Sequence, residues 1–325
     1  ASRLAPGQNM MLYAPLLLGA WLIEALFGWP KPLFSIIRHP VVWLGWIISA
    51  ADKQLNRPLW PHWIKYALGG LFSSLLILGT AAFAWAVSDT LPNTWWGWLV
   101  ECLIASSLVA SRSLHTHVAA VAIPLASGNM EAARKAVSMI VGRDPKQLDE
   151  AGISRAALES LSENMSDGVI APVFWGVLFG LPGIAAYKAI NTLDSMIGHR
   201  SEQHEAFGGF AARLDDIANL IPARLTGLLI TLASGRPSSV EVMIRDARKH
   251  RSPNAGWPEA AMAGALDVRL SGPRRYQGQT SDDAWLNPGQ PDPTAEDVAK
   301  GLNIYRKACL LGMVFVALIA GVELI

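Results

Sequence analysis

The chain has 325 residues, of which 51% are hydrophobic and only 16% are charged, and its formal net charge is +1. Soluble proteins usually carry about 25% charged residues. This composition excludes a disordered chain, a polybasic nucleic-acid-binding protein and a small disulfide-stabilised protein, and it indicates an integral membrane protein. Both cysteines, Cys102 and Cys309, lie in apolar stretches, where we expect buried thiols rather than metal ligands.

Four apolar stretches are long enough to cross a membrane, because a hydrocarbon core about 30 Å thick requires about 20 apolar residues in a helix. The third of them opens with Trp95, Trp96 and Trp98, which are typical of a membrane interface. Residues 1–9 are interpreted as a non-native extension. Residues 10–325 are interpreted as one membrane-embedded domain, with spans predicted at about 10–29, 66–88, 95–111 and 308–325.

Two further apolar segments, 169–187 and 217–233, contain residues that do not suit a simple span. The first contains Pro172 and Pro182, and the second contains Arg224 and a proline. A charge at the bilayer centre costs at least about 2.5 kcal/mol, and broken apolar helices are tolerated at membrane depth where they line a cavity. We therefore predict that both segments form broken or re-entrant helices.

Lysine and arginine are concentrated in three connecting segments, 30–65, 112–168 and 234–307, which the positive-inside rule places in the cytoplasm. If the two broken segments enter and leave on the same side, residues 188–216 also face the cytoplasm. Residues 271–293, rich in Gly, Pro, Asp and Ser, are predicted to form a loop. The predicted fold class is all-α: a polytopic integral membrane protein with re-entrant or broken helices and helical cytoplasmic loops.

Common nucleotide and hydrolase signatures are absent, since the sequence contains no GxxxxGK[ST], GxGxxG, HExxH or GxSxG motif. Polar side chains instead recur at helical spacing. Glu159, Glu163 and Asp167 are four residues apart, so a continuous helix places them on one face. Their repulsion favours a cation among them, and Mg²⁺ held by one or two carboxylates and substrate phosphates would suit. Because Arg155 lies four residues before Glu159, we expect Glu159 itself to lie on a solvated helix face.

A second group follows the first broken segment. Lys188, Asn191, Asp194 and Ser195 fall on one helix face at steps of three and four, with apolar residues on the other face. A lysine, an amide and a carboxylate beside membrane-depth sequence are costly unless they are paired or functional. A structural interaction between Lys188 and Asp194 is the alternative to a functional site.

A third group precedes and enters the second broken segment. Asp215 and Asn219 are one helical turn apart, and Asp216 and Arg224 continue the polar pattern. The two acids could hold a metal ion, or they could pair with Arg213 and Arg224. The sequence leaves these two interpretations equally open.

A basic segment then precedes the sequence SPNAGWPEA at 252–260. Pro258 suits the first position of a helix, with Glu259 in its first turn. A basic loop before a helix N-terminus is a natural anion site. Positive-inside charge is the alternative, and it accounts for about half of the basic groups, which are Arg245, Arg248, Lys249, His250 and Arg251.

Taken together, these stretches resemble the cobalamin-biosynthesis membrane proteins CobD and CbiB, the adenosylcobinamide-phosphate synthases. The combination of motifs is highly specific, although no single motif is. The resemblance rests on RHPVVWLG (38–45), VGRD (141–144), SENMSDGVIAPVFW (162–175), YKAINTLDSMIG (187–198), FGGFAARLDDIANLIPARLTG (207–227) and RDARKHRSPNAGWPEAAMAGAL (245–266).

The resemblance implies an ATP-dependent carbon–nitrogen ligase in the bacterial inner membrane, with an active site that faces the cytoplasm. It implies that adenosylcobyric acid is joined by an amide bond to aminopropanol or its O-phosphate, with ATP as co-substrate and Mg²⁺ as cofactor. Membrane lipid, other late enzymes of the pathway and a second copy of the chain are further candidate partners. A membrane transporter or channel, and a non-catalytic scaffold for late corrinoid enzymes, are the alternatives.

Combining the polar groups with the resemblance gives a set of candidate site residues, which we expect to face one cavity. The candidate catalytic residues are Glu163, Asp167, Lys188, Asn191 and Asp194. The candidate metal ligands are Glu163, Asp167, Asp194, Asp215 and Asp216. The candidate substrate- and phosphate-binding residues are Asn164, Ser195, Arg224, Arg245, His250, Arg251, Ser252, Asn254 and Glu259.

Overall fold

The computed structural model describes residues 13–29, 35–36, 38–140, 148–199, 201, 203–276 and 279–322. The predicted extension at 1–9 and the VGRD stretch at 141–144 lie outside these described residues. The elements in chain order are α1 (Ala14–Phe27), α2 (Pro40–Leu55), α3 (His62–Thr90), α4 (Trp95–Ser106), α5 (Ser111–Ala126), α6 (Met130–Val137), α7 (Glu150–Met165), a π-helical turn (Ser166–Ile170), α8 (Ala171–Ile197), α9 (Gly209–Ala218), α10 (Leu220–Ser234), α11 (Pro237–Asp246), a 3₁₀ turn (Ala247–Lys249), α12 (Gly256–Leu266), β1 (Leu270–Ser271), β2 (Arg274–Tyr276), β3 (Gln279–Ser281), β4 (Trp285–Leu286) and α13 (Ala295–Val322).

Helices dominate the described chain, and several are long and apolar enough to cross a membrane. Four helical segments meet both criteria, and α9 with α10 meets them as a broken pair, which gives up to five. Helix α1 is apolar but has only 14 residues, or about 21 Å of helix, which is shorter than a hydrocarbon core. The prediction of an all-α polytopic membrane protein is confirmed. The four segments are His62–Thr90, Trp95–Ala126, Glu150–Ile197 and Ala295–Val322.

The chain folds into two compact units, defined by the contacts that its residues make with one another. From the sequence, residues 10–325 were predicted to form one domain. The first unit comprises residues 1–110, 171–219 and 315–325, and the second comprises residues 111–170 and 220–314. The chain therefore passes from one unit to the other four times. The candidate site residues are divided between the units.

In the first unit, α8 packs against α2, α3 and α9, and α1 packs against α4. A core cluster of fully buried side chains, including Ile48, Leu193 and Phe207, lies among these helices. Phe72 on α3 stacks on Phe207, with ring centroids 6.4 Å apart. Gly69, one turn before Phe72, lets the backbone at Phe207 approach α3, since a Cβ atom there would lie 1.9 Å from the Phe207 carbonyl oxygen.

This close approach yields a prediction with an internal control on the same helix. Gly69→Ala should lower the free energy of unfolding by about 3 kcal/mol, because the new methyl group meets backbone that cannot move aside. Gly79→Ala should be neutral or slightly stabilising, because nothing lies within 4 Å of its Cβ position and alanine favours helix. Thermal unfolding of the two purified variants in detergent measures the difference, and equal melting temperatures would contradict this packing.

Helix α8 contains the break that the prolines predicted. Gly180 has φ +67° and ψ −153°, a conformation that suits glycine, and Pro182 follows it within the helix. The ring of Tyr13 lies against Gly180, where a Cβ atom would come within 2.5 Å of it. Residues 169–187 therefore contain a broken helix, as the sequence analysis expected.

In the second unit, α12 packs against α10 and α11, and α7 packs against α5. Nearly all of α12 is buried, and its small residues permit close packing, with Gly264 against the backbone of α11.

The segment 271–293, predicted as a loop, contains most of two short antiparallel ladders, β1 with β4 and β2 with β3. The guanidinium carbons of Arg155 and Arg269 lie 4.7 Å and 4.4 Å from the ring centroid of Trp285 in β4. Both arginines also donate to Asp292, so these contacts fix the segment.

Candidate active site

The first unit contains a cluster of carboxylates on α8 and α9. Asp194 on α8 and Asp215 and Asp216 on α9 lie close enough together for their charges to interact, and Asn191 lies beside Asp215. The side chain of Asp215 is buried and makes no ion pair with any described residue, although the sequence had left pairing with Arg213 open. Arg213 instead donates to the Tyr66 hydroxyl at 2.9 Å.

A chain of hydrogen bonds fixes the orientation of Asp215. The Asn219 side-chain amide donates to Asp215 Oδ2 at 2.9 Å, and the Tyr187 hydroxyl donates to Asn219 Oδ1 at 2.9 Å. Trp175 Nε1 donates to the Ala218 carbonyl at 3.1 Å and secures the end of α9. The other carboxylate oxygen of Asp215, Oδ1, is buried and has no hydrogen-bond partner among the described residues. This oxygen is therefore available to a cation.

Sequence reasoning did not select Tyr187 as a site residue. Its hydroxyl reaches Asn219, which lies 32 positions along the chain. The available signal was its spacing, because Tyr187 precedes Asn191 and Asp194 by one and two helical turns and therefore shares their face. Asn219 was named among the polar residues but given no role, and the structure shows it between Tyr187 and Asp215.

Lys188 is buried in the first unit and lies near His39, which the sequence analysis included in a motif without a role. His39 Nδ1 accepts a hydrogen bond from the Val41 amide at 3.3 Å and thereby caps α2. Its ring meets the ring of Trp29 edge-on, with centroids 5.2 Å apart. Burial and the positive charge of Lys188 lower the pKa of His39 below its ordinary value of 6.5. The imidazole is therefore neutral at physiological pH.

Ser195 and Asn191 make a local contact on α8. The exposed Ser195 hydroxyl donates to the Asn191 carbonyl at 2.8 Å, a common arrangement within a helix. This bond uses the serine as donor and leaves the oxygen able to accept. The proposed substrate-binding role of Ser195 stays a prediction.

In the second unit, Glu163 and Asp167 do not lie on one continuous α-helix, as their spacing had suggested. Helix α7 ends at Met165, and the π-helical turn at Ser166–Ile170 carries Asp167. The π-helical turn continues directly from α7 into α8, and four residues are close to one turn in either helix type, so the shared face of Glu163 and Asp167 stays a prediction. Glu163 is exposed and Asp167 is half-buried.

Neighbouring residues of α7 differ in their surroundings. Asn164 is exposed, and its amide donates to the Ser160 carbonyl at 2.9 Å. Glu159, expected on a solvated face, is instead buried, and its Oε1 accepts from the Ser271 backbone amide at 2.8 Å. That expectation was wrong because the partner of Glu159 lies 112 residues along the chain and outweighs the local influence of Arg155.

The basic segment of the second unit folds into a connected loop. His250 Nδ1 accepts from the Ser252 amide at 3.1 Å, and Ser252 Oγ accepts from the amides of Asn254 and Ala255 at 3.3 Å and 3.1 Å. Arg224 on α10 donates to Asn254 Oδ1 at 3.3 Å. The Arg224 guanidinium also lies 4.5 Å from the ring centroid of Trp257. Ser252 and Asn254 therefore shape the loop, and Arg224 is held against it.

Helix α12, which follows this loop, begins at Gly256 rather than at Pro258. A Cβ atom at position 256 would lie 2.2 Å from the Ala247 carbonyl oxygen, so glycine lets the helix start against the preceding turn. Glu259 does lie in the first turn, as predicted, and it is buried. Its Oε2 lies 3.8 Å from His250 Nε2, so His250 faces the protein interior on both sides of its ring.

Arg245 takes part in a separate buried network. Its guanidinium donates to both carboxylate oxygens of Asp246, at 3.0 Å and 2.7 Å, and to Asn287 Oδ1 at 3.2 Å. Lys249 donates to Asp246 Oδ1 at 2.7 Å, and the Asn287 backbone amide donates to Oδ2 at 2.8 Å. Burial disfavours the ionised carboxylate, but these hydrogen bonds outweigh it and lower the pKa of Asp246 to about 2. This geometry gives Arg245 a structural partner, and both Arg245 and Arg251 are exposed.

No group of three or more His, Cys, Asp or Glu side chains within the described part of the chain is arranged to hold a metal ion. The predicted five-carboxylate set is divided, with Glu163 and Asp167 in the second unit and Asp194, Asp215 and Asp216 in the first. The first-unit acids nevertheless fit Mg²⁺ chemically. They offer hard oxygen ligands, including the unpartnered Oδ1 of Asp215, to an ion that takes its other ligands from water and phosphate.

Comparison with known proteins assigns the chain to a family. Residues 17–305 match the sequence model of the family described as CobD/Cbib protein. The chain belongs to this family. A cobalamin biosynthesis protein CobD from Rhodobacter capsulatus is 54% identical over 307 residues, which cover 94% of this chain and 96% of that protein. No solved structure matches the chain.

Relatives from other bacteria carry the same name. The cobalamin biosynthesis protein CobD of Brucella suis is 46% identical over 314 residues, covering 93% of this chain and 96% of that protein. The protein of the same name from Rhizobium meliloti is 43% identical over 301 residues, covering 89% and 91%. The resemblance to CobD and CbiB is therefore confirmed, and this CobD/CbiB protein carries the two polar clusters in its matched region.

Proposed function

We propose that this CobD/CbiB protein is an ATP-dependent carbon–nitrogen ligase of cobalamin biosynthesis. It would join the corrin propionate of adenosylcobyric acid to aminopropanol or its O-phosphate and give adenosylcobinamide or its phosphate. The family match over residues 17–305 carries this proposal. The carboxylate cluster and the basic loop support it, because they supply the charged groups that phosphoryl transfer requires.

The proposed reaction has two steps. A carboxylate oxygen of the propionate attacks the γ-phosphorus of ATP, and the bond from phosphorus to the ADP oxygen breaks. The unprotonated amine nitrogen then attacks the acyl carbon, and inorganic phosphate leaves as the nitrogen gives up a proton. No covalent enzyme intermediate is needed, so the protein contributes positioning and electrostatic stabilisation.

The residues of the first unit would act on the phosphates and the carboxylate. Asp194 and Asp215, with Asp216 beside them, would hold Mg²⁺, which would offset negative charge on the transferring phosphoryl group. Tyr187 and Asn219 would keep Asp215 in its orientation. The buried ammonium of Lys188 would orient the propionate, and Asn191 would donate to a substrate oxygen.

The residues of the second unit would bind anionic groups. Arg224 is held by Trp257 and Asn254, and the exposed Arg251 extends from the same loop. A fixed guanidinium presents two parallel donors and therefore suits a phosphate. Glu163 and Asp167, at the π-helical turn, are candidates for contact with a metal ion or the amine. Such turns are common at functional sites.

Purified protein in detergent provides the direct test of the reaction. We expect ATP-dependent consumption of adenosylcobyric acid only when an amino alcohol or its phosphate is present, with one ADP and one phosphate formed per amide. Turnover without any other protein would exclude a transporter and a scaffold as the sole function. Absence of turnover, with folded protein and both amines supplied, would contradict the proposed function.

Anion binding by the basic loop has its own prediction. Arg251→Ala should raise the Michaelis constant for ATP or for the amine phosphate by about tenfold, because one charge-assisted contact is lost. Arg236→Ala, which removes another exposed arginine of the same unit, should leave both constants unchanged. Initial-rate measurements with each substrate varied in turn would decide this. Unchanged constants in both variants would remove Arg251 from the site.

We further propose that the protein lies in the bacterial inner membrane with residues 188–216 in the cytoplasm, where ATP is available. A cysteine introduced by Ser201→Cys, at an exposed position, should resist a membrane-impermeant thiol reagent in intact cells and react after lysis. Asn93→Cys, in the exposed turn between α3 and α4, should react in intact cells. The native cysteines Cys102 and Cys309 are buried and give little background. Labelling at position 201 from outside would overturn this topology.

A further inference from the structure

A cavity unrelated to the proposed active site lies where α3 ends and α4 begins. It has a volume of about 380 Å³ and lies wholly within the first unit. Its polar lining comprises Ser88 near the end of α3, Asn93 and Thr94 in the turn, and Glu101 on α4. Two indole rings, those of Trp95 and Trp98, form much of the remaining wall.

Glu101 is the feature of this cavity that requires an explanation. It occupies an apolar helix of a candidate membrane span, where a carboxylate is costly unless it meets a cation. Within the described residues its one hydrogen-bond partner is Ser88, whose hydroxyl donates to Oε1 at 2.5 Å. No lysine, arginine or histidine lines the cavity. The described residues that line the cavity therefore surround an acid in an apolar span with no basic side chain.

The aromatic walls of the cavity also suit a cation. Trp95 and Trp98 are 77% and 44% exposed, so their indoles are accessible from the cavity side and the surroundings. Indole faces attract cations, and tryptophan at the end of a membrane helix lies at headgroup level. Glu101 lies six residues beyond Trp95, which is about 9 Å along the helix. This depth suits the headgroup region better than the bilayer centre.

The turn that closes the cavity is tightly built. Thr94 Oγ1 accepts from the Gly97 amide at 3.3 Å and caps α4. A Cβ atom at Gly97 would lie 2.1 Å from the Pro92 carbonyl oxygen, so the turn packs directly on the first turn of the helix. The wall of the cavity is therefore formed before any ligand arrives, which reduces the ordering cost of binding.

We propose that this cavity binds the primary ammonium group of an aminophospholipid headgroup, of the phosphatidylethanolamine type. The ammonium would donate to the free lone pairs of the Glu101 carboxylate and to oxygen atoms of the turn, while the two indoles flank it. A divalent metal ion fits less well, because the lining offers it a single carboxylate and its other polar side chains, Ser88, Asn93 and Thr94, are neutral. The interfacial position favours a lipid over a free amine.

Native mass spectrometry of the full chain, exchanged into detergent with equimolar phosphatidylethanolamine and phosphatidylcholine, tests the proposal. We expect wild type to retain phosphatidylethanolamine about tenfold better than phosphatidylcholine, because full methylation removes the N–H donors. Glu101→Gln should abolish this preference, and Trp95→Leu should weaken it. Trp96→Leu, which changes an adjacent tryptophan outside the cavity lining, should retain it.

Three results would overturn the proposal. Equal retention of the two lipids by wild type would remove ammonium recognition, and this measurement needs no variant. An unchanged preference in a folded Glu101→Gln variant would remove the carboxylate from the site. Displacement of the bound lipid by free ethanolamine at equal concentration would show that the cavity recognises a soluble amine, so the lipid assignment would be wrong.

Discussion

Asp215→Asn is expected to lower the rate of amide formation roughly 100- to 1,000-fold, a loss typical of removing one electrostatic contact to the transition state. The reason is the geometry of its carboxylate. Oδ2 accepts from Asn219, Oδ1 is buried with no hydrogen-bond partner among the described residues, and the Asp215 carboxylate interacts with the charges of Asp194 and Asp216. A cation is the group that would relieve this arrangement, and an amide at position 215 would weaken its binding.

The measurement is turnover as a function of magnesium concentration. Asp215→Asn should require more magnesium for half-maximal rate, and Asp194→Asn should behave in the same way. Asp267→Asn is the matched control, because this exposed aspartate lies at the end of α12 with φ +60°, a conformation that asparagine tolerates. Normal magnesium dependence and normal turnover in both site variants would show that the cluster does not hold the metal ion.

The fold class could be predicted because it depends on composition and local pattern. Long apolar stretches predicted the spanning helices, and Pro172 and Pro182 predicted the break that the structure places at Gly180. These signals act within a few residues along the chain. The short ladders around β4 carried no such signal, since their stability comes from Arg155 and Arg269 packed on Trp285.

The candidate site could be predicted only in part, because sequence patterns report on contacts within a few residues along the chain. Helical spacing correctly placed Asp194 and Asn191 near each other, and Asp215 next to Asn219. Spacing could not reveal the π-helical turn at Asp167, because such a turn leaves no mark in the composition. Contacts between distant residues, such as Tyr187 with Asn219, required the folded structure.

The basic residues also show that the sequence alone does not reveal contacts between distant residues. Along the sequence, Arg245 and Arg251 are equivalent members of one basic segment. In the structure both arginines are exposed, and Arg245 donates to Asp246 and Asn287. The partners of Arg245 are a buried acid and a residue about 40 positions away, so charge counting could not reveal them.

Asp246→Asn is expected to lower the free energy of unfolding by about 2 kcal/mol, because the buried carboxylate loses its charge-assisted hydrogen bonds to two half-exposed cations. Asp246 is fully buried and accepts from Arg245, Lys249 and the Asn287 amide. Replacement by asparagine leaves the ammonium and guanidinium facing an amide with no negative charge. Glu241→Gln, on the exposed face of the same helix, is the control and should have little effect.

The stabilisation by ionised Asp246 should be lost as the pH becomes acidic. The carboxylate has a pKa of about 2 in the folded protein, below its ordinary value of 3.8, so the unfolded chain binds the proton more readily between these values. The stabilisation by ionised Asp246, about 2 kcal/mol, is therefore complete above pH 4 and declines as the pH falls through about 2. Melting temperatures of wild type and Asp246→Asn, measured in detergent from pH 7 to pH 2, should converge at the acidic end. A difference that stays constant over this range would show that packing, and not the ionised carboxylate, accounts for the stability lost in Asp246→Asn.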